Sequence, residues 1–253
     1  MKDLIKKLPL AERIYGRLYF LHYLRQRSNL SGTTSYANSE EDLMARDYLG
    51  SVRYFVDIGA AAGKVGSNTF YFAVRGARGV CFEPLRESYL KLRCLYFFNR
   101  RIVCRNCGIS DKAGDAEIAH VGDWSYILET EDHAHTLLHP RGREHKTVTR
   151  VRLLTFDEAT RGVDLPKVID LLSIDVEGHE LNVLRSVPFE RFDFRLIILE
   201  THLRGDNGEC VWTHRDIDQI GTLLAQYGYR PVGQTTANTF YSREGRPLLP
   251  ISH

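Results

Sequence analysis

The chain has 253 residues, of which 43% are apolar and 26% charged, and its 34 Lys and Arg nearly balance its 32 Asp and Glu. This average globular composition excludes a disordered, collagen-like or coiled-coil protein, and the length allows one domain with a sizeable core. The formal net charge of +2 is too small to indicate a nucleic-acid-binding protein.

Residues 1–50 are predicted to form an N-terminal helical extension. Apolar residues recur at three- to four-residue spacing within residues 4–21 and 43–48, and Ser39, followed by acidic residues, indicates a helix N-cap. Residues 1–30 contain seven Lys and Arg against two Asp and Glu. We expect this first helix to pack on the main domain with a solvated basic face, and peripheral contact with an anionic membrane is the alternative.

The cysteines and the hydropathy pattern predict a cytoplasmic protein. No apolar run approaches the about 20 residues of a membrane-spanning helix, and the N-terminus lacks the pattern of a signal peptide. Five cysteines, an odd number, fit reduced thiols. Cys104 and Cys107 have the spacing of a metal or redox motif, but no second pair accompanies them, so buried thiols are the favoured interpretation.

From residue 51 to the C-terminus, the predicted main domain alternates short apolar runs with helical patterns, as in a parallel sheet covered by helices. The predicted strands are 54–58, 80–82, 102–107, 169–174, 196–199, 230–232 and 239–241, and the predicted helices are 66–75, 86–98, 180–185 and 216–226. The last two strands are too close for a helical crossover and predict an antiparallel hairpin. The pattern therefore predicts an α/β fold with a doubly wound, mainly parallel seven-stranded sheet and a C-terminal antiparallel hairpin. Such a sheet is typical of methyltransferases, whereas a dehydrogenase domain would stay parallel.

Residues 119–149 interrupt this alternation. They are polar, and four histidines lie between residues 133 and 145 without a patterned acidic or Cys partner. Long irregular segments in compact domains are often lids or binding loops. We therefore predict a substrate loop rather than a metal site.

A nucleoside site is predicted where the first strand ends. Asp57 is followed by a turn of small residues from Gly59 to Gly63, which lets the backbone approach a ligand at a helix N-terminus. Glu83 lies twenty residues after Gly63, at the end of the next strand, where doubly wound folds accept ribose hydroxyls.

The turn favours S-adenosylmethionine over NAD. A dinucleotide fingerprint has glycines where the pyrophosphate contacts the backbone, whereas Ala61 stands at the middle position here. Asp57 would repel a pyrophosphate but can accept hydrogen bonds from an ammonium group. An NAD-dependent oxidoreductase and a non-catalytic module that keeps the fold are the alternatives.

Acidic residues follow the strand at 169–174, within the run Asp-Val-Glu-Gly-His-Glu at 175–180. With segments 56–60, 82–84, 106–111 and 154–158, this run resembles the FkbM family of methyltransferases over about residues 54–241. The resemblance implies a class I S-adenosylmethionine-dependent fold and O-methylation of a hydroxyl on a sugar or other small natural product. The family commonly has Asn where this chain has Ala61. The residues expected to bind the cofactor are Asp57, Gly59, Ala60, Ala61, Gly63, Glu83, Pro84, Ser110, Asp111 and Asp175, with Ser110 and Asp111 near the adenine.

Methyl transfer to an alcohol needs alignment of the acceptor and benefits from a general base. His179 and His202 are the candidate bases, and Asp175, Glu177 and Glu200 are expected to orient the acceptor or the base. These acids and His202 could hold a divalent metal. Clustered acids at a sheet edge are more often substrate ligands, so a metal is not favoured. The expected partner is a small-molecule acceptor, with a saccharide as one candidate.

Overall fold

The computed structural model describes residues 34–121, 124–127, 147–204 and 210–248. The predicted basic first helix and the histidines of residues 133–145 lie outside these ranges. Within the described ranges, no helix is long and apolar enough to cross a membrane.

The helices and strands alternate along the chain as follows. They are α1 (Glu41–Leu49), β1 (Tyr54–Ile58), α2 (Phe70–Val74), β2 (Arg78–Phe82), α3 (Arg86–Leu95), β3 (Ile102–Arg105), β4 (Gly108–Ile109), β5 (Gly114–Val121), β6 (Trp124–Ile127), β7 (Thr147–Leu154), α4 (Phe156–Ala159), β8 (Val168–Ile174), α5 (Glu180–Ser186), β9 (Asp193–Glu200), β10 (His202–Arg204), β11 (Cys210–Thr213), α6 (Ile217–Gln226), β12 (Arg230–Gln234) and β13 (Asn238–Ser242).

The central sheet has seven strands in the order β3-β2-β1-β8-β9-β13-β12. The first five run parallel, β13 is antiparallel to β9, and β12 is antiparallel to β13. The predicted seven-stranded sheet with its C-terminal hairpin is therefore confirmed. Because helices cover both faces, the central strands are mainly apolar, and every residue of β1 is buried.

The core is divided between the two faces of the sheet. Ile58 and Ile174 pack on one face together with apolar residues of α5 and α6. Phe55 and Leu171 pack on the other face with residues of α1, α2 and α3. Neighbouring residues of one strand thus contribute to different clusters, because successive side chains of a strand point to opposite faces.

Two predicted helix starts were wrong. Gly66 has a φ of 74°, and the Ser67 hydroxyl accepts the Phe70 N–H at 3.1 Å, so a turn occupies the first part of the predicted 66–75 helix. Ser39 does not cap α1. The N-cap is Glu40, with a φ of 64°, and the Ser39 N–H donates instead to the Glu41 carboxylate at 2.8 Å.

A second sheet, in the order β4-β7-β5-β6, lies within the segment that interrupts the central sheet. The strands β5 and β7 were missed in the sequence. Exposed Glu117 alternates with buried Ala116 and Ile118, so a half-solvated antiparallel strand has a polar composition. Part of the predicted 119–149 loop is therefore strand, and its role as a lid stays a prediction.

Candidate active site

A cleft lies where β1, β2 and β8 end, with a volume of about 760 Å³ that includes the solvent at its mouth. Its apolar wall comes from Phe82 of β2 and from three residues of the second sheet, Ile109, Ile118 and Leu153. Its polar lining is formed by Glu83, Asp175, Glu177 and His179. The combination of an apolar wall with a few polar groups is typical of small-molecule sites.

The turn after β1 needs its glycines. Gly59 has a φ of 88°, and a Cβ there would lie 1.8 Å from the Asp175 carbonyl oxygen. Gly63 has a φ of 81°, and a Cβ there would lie 2.3 Å from Leu92 Cδ1. Absence of a side chain therefore lets the turn pack against both the end of β8 and helix α3, as the spacing predicted.

Glu83 fastens this turn from the end of β2. Its Oε2 accepts the Ala61 N–H at 2.9 Å, and its Oε1 accepts the Leu85 N–H at 2.7 Å. Ala61 has a φ of 45°, a left-handed conformation that a non-glycine residue adopts only when its surroundings hold it. Burial raises the pKa of Glu83 to about 7, although both backbone hydrogen bonds lower it.

Asp57 lies deeper, inside β1, and does not line the cleft. Its Oδ2 accepts the Thr69 hydroxyl at 2.6 Å, and burial raises its pKa to about 6. Its predicted contact with an ammonium group stays a prediction.

Three carboxylates, here called the acidic group, lie close together at this edge of the sheet. They belong to Asp175, Glu177 and Glu200, and one oxygen atom from each lies within 4.8 Å of those from the other two. Burial, followed by repulsion from neighbouring carboxylates, raises the pKa of Asp175 to about 7 and also raises those of Glu177 and Glu200. Burial and the mutual repulsion of these carboxylates thus disfavour full ionisation of the acidic group. Oε2 of Glu200 is buried without a hydrogen-bond partner among the residues described.

His179 belongs to a hydrogen-bonded chain beside the cleft. Its Nε2 lies 2.9 Å from the Ser110 hydroxyl, which itself donates to Asp111 Oδ1 at 3.2 Å. The Ser110 hydroxyl therefore links the His179 ring to the Asp111 carboxylate. Ser110 and Asp111 do not line the cleft.

His202 has a different environment. Its Nε2 lies 2.9 Å from the Thr235 carbonyl oxygen and must donate to it, while Nδ1 lies 2.8 Å from the Thr201 hydroxyl. Both ring nitrogens thus have hydrogen-bond partners in the connections between strands, and His202 does not line the cleft. The geometry therefore favours His179 over His202 as the base.

Cys104 and Cys107 form no disulfide, and Cys107 is buried whereas Cys104 is partly buried, so the choice between buried thiols and a metal site stays a prediction. Burial raises the pKa of Cys104 to about 12 and that of Cys107 to about 11, opposite to the shift of a reactive thiolate.

Two parts of the site were missed in the sequence. The apolar wall from Ile118 and Leu153 could have been found from the alternation of β5 and β7. No pattern indicated His214, which lies 2.8 Å from Glu180 next to the acidic group and is distant from it in sequence.

The strand order and the cleft define the class of protein. Parallel strands followed by an antiparallel pair, with a cleft at the carboxyl ends of β1, β2 and β8, form the doubly wound fold of the class I methyltransferases. The sequence model described as "Methyltransferase FkbM domain" matches residues 57–231, more than half of the chain. The chain belongs to the FkbM methyltransferase family.

Several solved structures are similar to this chain. A methyltransferase FkbM from Methylobacillus flagellatus has 15% identity and a TM-score of 0.45, and the match covers 84% of this chain but only 45% of that one. An O-methyltransferase from Bacillus cereus in complex with SAH has 12% identity and a TM-score of 0.45, covering 90% of this chain and 88% of that one. Fibrillarin from Aeropyrum pernix with bound S-adenosyl-L-methionine has 14% identity and a TM-score of 0.42, covering 77% and 68%. No curated protein sequence matches the chain.

Proposed function

We propose that the protein is an S-adenosylmethionine-dependent methyltransferase that methylates a hydroxyl of a sugar or another small natural product. The supporting observation is the placement of acidic side chains around one cleft. Glu83 lies at the end of β2, where a ribose is accepted, and the acidic group lies at the ends of β8 and β9, where a cationic sulfonium and ammonium would be stabilised.

When bound, S-adenosylmethionine supplies an electrophilic methyl group and leaves as S-adenosylhomocysteine. The residues of the chain align the acceptor and remove its proton. His179 takes the hydroxyl proton, and the Ser110 hydroxyl fixes the orientation of its ring. Asp175 and Glu177 attract the positively charged ligand, and Ile109 and Leu153 keep water away from its apolar surface.

Calorimetry with S-adenosylmethionine, S-adenosylhomocysteine and NAD tests this proposal. We expect the first two to bind with micromolar dissociation constants and NAD not to bind. Transfer of a labelled methyl group to a panel of saccharides and phenols then identifies the acceptor class. Binding of NAD alone would favour an oxidoreductase, and binding of none of the three would favour a non-catalytic module.

A divalent cation is the second candidate occupant of the acidic group, because three carboxylate oxygens lie within 4.8 Å of one another. We favour the cationic cofactor, since Asp175 and Glu177 line the same cleft as Glu83. Methyl transfer should then be unchanged after dialysis against EDTA. Loss of activity on dialysis, restored by added Mg²⁺, would assign the group to a metal.

A further inference from the structure

The turn that follows β8 has an unfavourable backbone conformation. Glu177 has a φ of 56° and Gly178 has a φ of 98°, and this turn joins Asp175 to His179. Left-handed conformations at non-glycine residues persist only where surrounding contacts hold them. The contacts that hold this turn therefore determine where Asp175, Glu177 and His179 lie in the cleft.

Glu180 supplies those contacts from the first position of α5. Its Oε1 accepts the Val176 N–H at 3.0 Å, and its Oε2 accepts the Gly178 N–H at 3.0 Å. The two amides flank Glu177, so one carboxylate spans the left-handed residue. The side chain of Glu180 is fully buried, which prevents water from competing for these bonds.

His214 fixes Glu180 from the other side. Its Nε2 lies 2.8 Å from Glu180 Oε2, and the His214 side chain is also fully buried. Nδ1 accepts the Asp216 N–H at 3.0 Å, so the ring proton is on Nε2 and donates to Glu180. Glu180 thus accepts three N–H groups, two from the turn and one from the ring of His214.

His214 also contacts the end of β9. Its backbone N–H donates to the Thr201 carbonyl oxygen at 2.7 Å, directly after Glu200. One residue therefore joins the turn that holds Asp175 and Glu177 to the strand end that holds Glu200.

We propose that Glu180 and His214 form a positioning pair that fixes the 176–178 turn and so assembles the acidic group from β8 and β9. Neither residue needs to touch the cofactor or the acceptor. The consequence for methyl transfer rests on the proposed function, whereas the effect on the turn does not depend on any ligand.

Two variants of His214 separate positioning from packing. His214→Asn keeps an acceptor for the Asp216 N–H but is too short to reach Glu180. His214→Gln places an amide N–H near the position of Nε2 and can still donate to Glu180. We expect hydrogen exchange of the Val176 and Gly178 amides, measured by NMR on the ligand-free protein, to be at least about tenfold faster in His214→Asn and close to wild type in His214→Gln.

Cofactor affinity and turnover provide the second measurement. His214→Asn should lower kcat/KM by about 10²-fold, the effect of misplacing reacting groups by about 1 Å, and His214→Gln should recover most of it. Dissociation constants for S-adenosylhomocysteine should follow the same order. Glu180→Gln, which turns an NH₂ group toward backbone donors, should speed exchange of the same two amides.

Unchanged exchange at Val176 and Gly178 in His214→Asn would overturn the positioning pair, and so would equal losses in both His214 variants. If the wild-type protein binds no S-adenosylhomocysteine, the proposed function fails, and the amide exchange still decides whether the pair holds the turn. A folded His214→Asn is verified by its near-UV circular dichroism. If His214→Asn does not fold, amide exchange is compared between His214→Gln and Glu180→Gln instead. Exchange of the Val176 and Gly178 amides at the wild-type rate in Glu180→Gln would then overturn the proposed positioning pair.

Discussion

Replacing Glu83 by Gln should weaken binding of S-adenosylhomocysteine while leaving the protein folded. The carboxylate accepts two backbone N–H groups, from Ala61 and Leu85, and is proposed to accept the ribose hydroxyls. Gln presents only one acceptor oxygen and turns an NH₂ group toward one of these donors. Loss of a hydrogen bond to a charged group costs about 1.5–3 kcal/mol, which corresponds to an about 10- to 150-fold higher dissociation constant.

The pH dependence adds a second measurement to the same variant. The pKa of Glu83 is raised to about 7, so the accepting carboxylate is lost as the pH falls through neutrality. Between pH 8 and pH 6 its ionised fraction falls about tenfold, and the apparent affinity should fall by the same factor. Calorimetric titrations at both pH values should therefore show a smaller pH dependence in Glu83→Gln than in the wild type.

Asp170→Asn is the matched control. Asp170 is also buried, with 2% exposure, and accepts the backbone N–H groups of Arg53 and Tyr54 at 2.7 and 3.1 Å. It lies near the start of β8, at the edge of the sheet opposite the cleft. This variant should lose about 1–3 kcal/mol of stability without a change in cofactor affinity. Wild-type affinity in Glu83→Gln, or equal loss of affinity in both variants, would refute the assignment of Glu83 to the ribose.

Three other changes test the turn after β1, the acidic group and the buried Asp57. Gly59→Ala should lower the free energy of unfolding in urea by about 3 kcal/mol or more, because its Cβ would lie 1.8 Å from the Asp175 carbonyl oxygen. Gly114→Ala is the control. A Cβ at Gly114 would have no atom within 4 Å, so this variant should stay within about 0.5 kcal/mol of wild type. Glu177→Gln should weaken the binding of S-adenosylmethionine about tenfold more than that of S-adenosylhomocysteine, because only S-adenosylmethionine carries a sulfonium charge. Calorimetry measures both dissociation constants. Equal effects on the two ligands would show that the sulfonium does not lie near Glu177. The pKa of Asp57 is raised from 3.8 to about 6, so its stabilising contribution is complete below pH 4 and is lost as the pH rises through 6. This contribution should lower the ligand-free Tm between about pH 4 and 7, so the Tm of Asp57→Asn should fall less with pH over this range. An identical slope would contradict this.

The sequence by itself determined the framework of this protein. Mainly apolar runs such as β1 and β8 predict strands buried on both faces, and the helices between them require parallel pairing. Parallel strands have their carboxyl ends at one edge, so Gly59, Glu83 and Asp175 could be assigned to one cleft before any contact was known. The short connection before β13 likewise required an antiparallel hairpin, because a parallel crossover needs a dozen or more residues.

Tertiary structure alone decided which polar groups meet. The ring of His202 is engaged by Thr201 and Thr235, while His179, 69 residues after Ser110, is oriented by that hydroxyl and faces the cleft. Glu180 and His214 are 34 residues apart, and no periodicity relates them. Periodicity reports which face of an element is buried. The partner of a buried polar side chain depends on how elements distant in sequence pack, because its hydrogen bonds are formed only across that packing.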